Sequence, residues 1–222
     1  MLFNLFQGYS GIQLVVLLFA RVFIVFCCLP LHEYAHALVA VKLGDNTPRA
    51  QGRLTINPLA HLDLIGTLMI VFVGFGYAKP VSVNARNFKN PKGGMALTAL
   101  AGPVANLIMA AVAILLMNIT MLFDMSNVFV QAFSYFFSFA ATTNIGLAVF
   151  NLLPIPPLDG SRVLQLLIPD RYYYNFMKYE RYIIIVVFVL ILTGVLTAPL
   201  SFLGGLIYKG LAYLIGLPFG NV

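Results

Sequence analysis

Charge is what this sequence has least of. Only 9% of its 222 residues are Asp, Glu, Lys or Arg, where a soluble domain carries about a quarter. Hydrophobic residues make up 61% and the mean hydropathy is +0.94. This excludes a soluble globular domain and implies an integral membrane protein. Cysteine is almost absent: Cys27 and Cys28 stand alone and adjacent, and chain neighbours make a poor disulfide. No disulfide staple is expected. The net charge of +6 comes with no basic stripe or nucleic-acid motif, so nucleic acid is excluded as a partner. Met1 to Ser10 has no positive n-region and the first apolar run continues into a polar motif, so no cleavable signal peptide is expected. No repeat or low-complexity tract breaks the chain, and residues 1–222 read as one domain.

What is there is a series of apolar runs. A helical span needs about 20 apolar residues at ~1.5 Å each. The run from Gly11 to about Leu43 is too short for two spans and a turn. It reads as one long or kinked helix, with Pro30 at the kink and a hairpin as the alternative. Arg21 within it is expected to face protein or water. Leu62 to Phe75 is too short to span comfortably and is expected to dip in and return, or to cross with an extended return. Met95 to Phe123, Val128 to Leu153, Tyr182 to Thr197 and Leu203 to Leu217 read as further spans. A short helix is expected from Asp159 or Gly160 to before Pro169. "GRLTI" and "PVSVN" alternate as strands do and are expected to pair near the membrane surface. The fold class is an all-α polytopic membrane protein with about five to six transmembrane helices and short membrane-surface β strands.

Lys and Arg set the orientation. Eleven of the thirteen fall in three regions: Lys42, Arg49 and Arg53; Lys79, Arg86, Lys89 and Lys92; Arg162, Arg171, Lys178 and Arg181. The turn from Met121 to Asn127 has none. By the positive-inside rule the three regions are cytoplasmic and the N-terminus is outside.

Histidine and glutamate are scarcer still, with three and two residues in the whole chain. Two of these histidines and one glutamate fall in "HEYAH", inside the first apolar run. Ionisable residues in a membrane are costly and point to function. Residues four apart share a helix face, so His32 and His36 can hold one metal ion. Glu33 lies about 100° round the helix, where it can serve as general base toward a metal-activated water. A catalytic zinc site needs a third protein ligand, and His61, Asp63, Asp124 and Asp159 are the candidates. Asp124 lies in the turn on the far side of the membrane and drops out. His61 and Asp63, in "NPLAHLD", also fit loop hydrogen bonding and capping. Asp159, in "NLLPIPPLDGSRVL", follows prolines that break a span. It fits a helix N-cap and a metal ligand equally.

"HEYAH" followed by "GD", then "AGPVAN", then "NLLPIPPLDG", resembles the site-2 proteases, which are intramembrane zinc metalloproteases. "GRLTINPLAHLD" and "AKPVSVN" resemble the small prokaryotic members. The resemblance covers roughly Leu31 to Leu164. It implies one zinc per chain held by His32, His36 and Asp159, with Glu33 as base. Asn151 would hold substrate or the developing oxyanion, and Asn106 would hold helices together. It implies regulated proteolysis of single-span membrane proteins within the bilayer of a prokaryotic cell membrane, at a site opening to the cytoplasm. Ser161 stands where many members have a second glycine. The length leaves no room for an inserted PDZ domain or a C-terminal nucleotide-sensing domain, so a bare catalytic core is expected. Oligomeric state is not indicated. Two other classes compete. A membrane metal-ion transporter predicts several sites along a path, and an inactive scaffold predicts a damaged site.

Overall fold

A computed structural model describes residues 11–73 and 78–219. The N-terminal ten residues and the end of the expected Leu62 to Phe75 run lie outside the described residues. Helix α1 (Gly11–Phe23), a π-helical turn (Ile24–Cys28) and α2 (Leu29–Lys42) continue into one another as a single 32-residue rod. The reading of one long helix therefore holds and the hairpin does not form. The disturbance expected at Pro30 takes the form of the π turn. Leu29 N–H donates to the Ile24 carbonyl, five residues back, and Pro30 has no N–H to continue the ladder. Arg21 faces protein, as expected, donating to the Val71 carbonyl at 2.9 Å.

Two single-turn helices follow, α3 (Thr47–Ala50) and α4 (Pro58–His61), and then α5 (Leu64–Val73). At ten residues α5 reaches about 15 Å, half of the ~30 Å hydrocarbon core. The expected strands at "GRLTI" and "PVSVN" are not formed among the described residues. The donors a ladder would use are committed elsewhere. Lys79 N–H donates to the His61 carbonyl, Val81 N–H to Glu33 and Asn84 N–H to Asp45, while Pro80 has none. The alternating pattern marks an irregular segment that runs past the metal-motif helix, not a sheet.

Asn90 caps α6 (Pro91–Thr120), its Oδ1 accepting from Gly93 N–H. Asn127 caps α7 (Val128–Asn151) in the same way through Phe129 N–H. The chain then breaks at the prolines before α8 (Asp159–Leu164), α9 (Asp170–Lys178), α10 (Glu180–Leu192) and α11 (Thr197–Gly216). Four segments are long and apolar enough to cross a membrane: the 11–42 rod, α6, α7 and α11. The expected five to six are not reached among the described residues, where α5 covers 10 residues and α10 covers 13.

Helix α6 is the centre of the molecule. Ala113 and Ile114 pack on Ala140 and Ala141 of α7, with Tyr208 and Leu211 of α11 covering the seam. Such small residues let helices approach closely in lipid, where packing drives association. Nearer its N-terminus α6 lies against α2 at Thr98 and Gly102 and also contacts α8, and that junction holds the polar residues. The chain is an integral membrane protein built from helices.

Candidate metal centre

On α2, His32 and His36 point the same way, and both are buried. Their Nε2 atoms are 3.0 Å apart. Asp159, the first residue of α8, brings Oδ2 to 3.4 Å from His32 Nε2 and 3.3 Å from His36 Nε2. Two nitrogens each about 2.0–2.1 Å from a tetrahedral zinc stand about 3.4 Å apart, so the spacing suits such an ion. Asp159 is not an N-cap: Leu158 holds that position, and no side chain caps the helix. Its Oδ2 is buried with no hydrogen-bond partner, aimed at the two imidazoles. Of the candidates read from sequence, His32, His36 and Asp159 form the metal-competent group among the described residues.

Helix α6 completes the cradle. His36 Nδ1 lies 2.7 Å from the Thr98 carbonyl oxygen. A carbonyl only accepts, so Nδ1 carries the proton and Nε2 presents its lone pair, the usual arrangement for a ligating histidine. One turn on, a Cβ at Gly102 would stand 2.4 Å from His36 Nε2 and 2.6 Å from His32 Nε2. That is the space an ion between the two nitrogens would use, and glycine leaves it open. Gly160 has a related role: a Cβ there would strike the Leu152 and Leu153 carbonyls at 2.2 and 2.4 Å. The "LDG" glycine therefore lets α8 tuck against the broken end of α7. The donor set, the orphaned carboxylate oxygen and the open cradle together fit a zinc ion.

Glu33 lies beside the ligand set. Its Oε2 accepts from Val81 N–H at 3.1 Å, which anchors one oxygen of the carboxylate. Asn151 is half-buried as the last residue of α7, where the chain turns toward Asp159. His61 and Asp63 have structural roles. His61 Nε2 bonds to the Thr55 carbonyl at 2.8 Å, and its own carbonyl accepts from Lys79 N–H at 2.7 Å. Asp63 Oδ1 accepts from Gly66 N–H at 2.9 Å at the start of α5. Asp124 is exposed, and the Ser126 N–H and hydroxyl hold its carboxyl below the usual range.

Four contributors are not named by sequence reasoning. Thr98 and Val81 act through backbone atoms, which no residue identity announces. Gly102 lies inside the noticed "AGPVAN" but acts by lacking a side chain. Asp45, of the "GD" after "HEYAH", is fully buried. It accepts from Thr47 N–H and hydroxyl, Asn84 N–H and Asn87 Nδ2. Burial pushes its carboxyl up, but these bonds outweigh it and hold the pKa below 3.8.

The model of peptidase family M50 matches residues 116–194, a stretch that includes Asn151 and Asp159. Over 165 residues, 73% of this chain and 75% of the relative, the chain is 44% identical to "Putative zinc metalloprotease YwhC" of Bacillus subtilis. The chain belongs to peptidase family M50. The resemblance to the site-2 proteases read from its motifs is thereby borne out. Two further relatives are named "Putative zinc metalloprotease Rip2". One is from Mycolicibacterium smegmatis, 33% identical over 141 residues. The other is from Mycobacterium tuberculosis, 35% identical over 140 residues. Each alignment takes in 61% of this M50 chain and about half, 52%, of the relative. No solved structure matches the chain.

Proposed function

We propose that this chain is an intramembrane zinc endopeptidase of the site-2 type. It would cut peptide bonds within or near the transmembrane segments of single-span membrane proteins, as a step of regulated proteolysis. The observation that carries the reading is the convergence of His32, His36 and Asp159 within 4.8 Å of one another, with Glu33 one residue from the first ligand.

In this reading one zinc per chain is held by His32 Nε2, His36 Nε2 and an Asp159 oxygen. When bound, zinc supplies a Lewis acid that lowers the pKa of water toward ~7 and polarises a carbonyl. The chain's own residues do the rest. Glu33 accepts a proton from the attacking water as its oxygen bonds to the scissile carbonyl carbon. The carboxyl then returns that proton to the amide nitrogen as the C–N bond breaks. The Val81 N–H holds one Glu33 oxygen and leaves the other for the proton. Asn151 donates its amide N–H to the oxyanion. The site opens to the cytoplasm, the side to which the basic loops assign Lys42 through Arg53. A transporter would need a path of ligand groups, whereas one such group occurs among the described residues.

The test is a matched assay of the parent and Glu33→Gln on one single-span substrate in detergent, with and without a chelator. General base catalysis contributes typically ~10²- to 10⁴-fold, so Glu33→Gln should lose that much cleavage and keep its zinc. Equal cleavage by both proteins would remove Glu33 as base. Cleavage by the parent that persists in the chelator would remove zinc.

A further inference from the structure

His32 lacks what His36 has. The His36 Nδ1 proton is anchored on the Thr98 carbonyl, but His32 Nδ1 is buried with no hydrogen-bond partner among the described residues. That matters because the two Nε2 atoms are 3.0 Å apart. If the His32 proton sits on Nε2, it points at the His36 lone pair and both nitrogens are spoiled as ligands. A metal-ready pair needs the His32 proton on Nδ1, and a ligating histidine almost always donates that proton to an acceptor.

An unpartnered acceptor stands on α6. Helices α2 and α6 pair antiparallel, with His36 level with Thr98 and both imidazoles against Gly102. The next position on that face, four residues on, is Asn106. It is fully buried, and both its Oδ1 and Nδ2 are without a partner among the described residues. Asn is costly to bury unpaired, more so in lipid. The His32 ring lies against the same face of α6. Its Cε1, bonded to both Nδ1 and Nε2, would be 2.5 Å from a Cβ at Gly102 and its Nε2 2.6 Å, so Nδ1 is one bond beyond the atom nearest that face.

We propose that Asn106 is a positioning residue for the metal centre: its Oδ1 accepts the His32 Nδ1 proton across one buried water. This fixes the tautomer in which Nε2 ligates. Thr98, Gly102 and Asn106, spaced by four, then do three jobs on one helix face: anchor His36, leave room for the ion and anchor His32. Asn106 thus does more than hold helices together. Among the described residues three other acceptors near this site are orphaned: Asp159 Oδ2 faces the two Nε2 atoms, Thr98 Oγ1 is on the residue level with His36, and Asn144 has its Nδ2 tied to Cys28 Sγ and the Ala140 carbonyl, one turn back along α2. The inference rests on reading His32 as a zinc ligand.

The experiment measures zinc affinity of purified protein in detergent by competition with a fluorescent chelator, together with thermal unfolding of the metal-free form. Four proteins are compared: the parent, Asn106→Leu, Asn106→Asp and Asn144→Leu. Asn106→Leu keeps the volume and removes the acceptor. It should weaken zinc binding about 10- to 100-fold while the metal-free protein unfolds at or above the parent temperature. Asn106→Asp restores an acceptor and should bind zinc within a few-fold of the parent. Asn144→Leu should leave affinity unchanged. The proposal is overturned if Asn106→Leu binds like the parent, if Asn106→Asp fails to recover binding, or if Asn144→Leu alone weakens it. A parent that binds no zinc overturns the metal centre itself, an outcome distinct from the others.

Discussion

The atom missing from Gly102 decides as much as the atoms present in His32 and His36. A methyl group there would occupy the space between the two ligating nitrogens. Gly102→Ala is therefore expected to purify with little or no zinc, by elemental analysis, although alanine is the better helix former by about 1 kcal/mol. Gly146→Ala is the control. It sits on exposed α7 surface with nothing within 4 Å of the added atom and should keep its zinc. Undiminished zinc in Gly102→Ala would mean that the ion is held elsewhere. The histidine pair and Glu33 were legible in sequence because their chemistry is written in side-chain identity and a four-residue period. Thr98 and Val81 were illegible because they contribute a carbonyl and an N–H, which every residue has. Asp159 stayed ambiguous on spacing alone, since a carboxylate after prolines at a helix start serves a cap and a ligand alike.

At the scale of elements, the irregular segment after α5 is fastened at two points: Val81 on Glu33 of the first rod, and Asn84 with Asn87 on Asp45 in the turn that follows it. Gly44 makes the second point possible. Its φ of +111° is open to glycine and costly for other residues, and it turns the chain so that Asp45 faces inward. The Asp45 carboxyl has a lowered pKa in the folded protein. Its stabilising bonds are thus fully present above the ordinary value of 3.8 and are lost as pH falls through the lowered one. Protection of the amides of residues 84–87, the exchange rate set against the intrinsic rate at each pH, should be high at pH 5 and fall as pH drops below 3.8. Asp45→Asn should exchange faster at pH 5, by the loss of about 1–3 kcal/mol of hydrogen bonding, and show no such acid step. Protection in the parent that stays constant over this range would remove the clasp. The "PVSVN" alternation could not foretell this. It fits any extended chain, and what decides strand or clasp is whether the N–H groups meet another strand or, as here, the carboxylates of α2 and its turn. The long helices were legible because twenty apolar residues in a row leave the chain few alternatives.

At the scale of the whole molecule, the proposed orientation rests on where the thirteen Lys and Arg fall. After replacing Cys27 and Cys28, single cysteines at positions 49 and 86 should resist an impermeant thiol reagent in intact cells, and one at position 124 should react. Labelling of 49 or 86 from outside would reverse the molecule. The π turn at Ile24–Cys28 has its own reach at this scale. A π turn accommodates one residue more than an α-helical ladder would, and one residue is worth about 100° of rotation. The first half of the rod, which buries Val16 and Ala20, and the half carrying His32 and His36 are thereby set out of phase by a single surplus residue. Removing one residue from this turn would leave the apolar length almost intact. It would swing both imidazoles away from α6 and Asp159, so a chain that still enters the membrane would present its ligands to the wrong compass bearing.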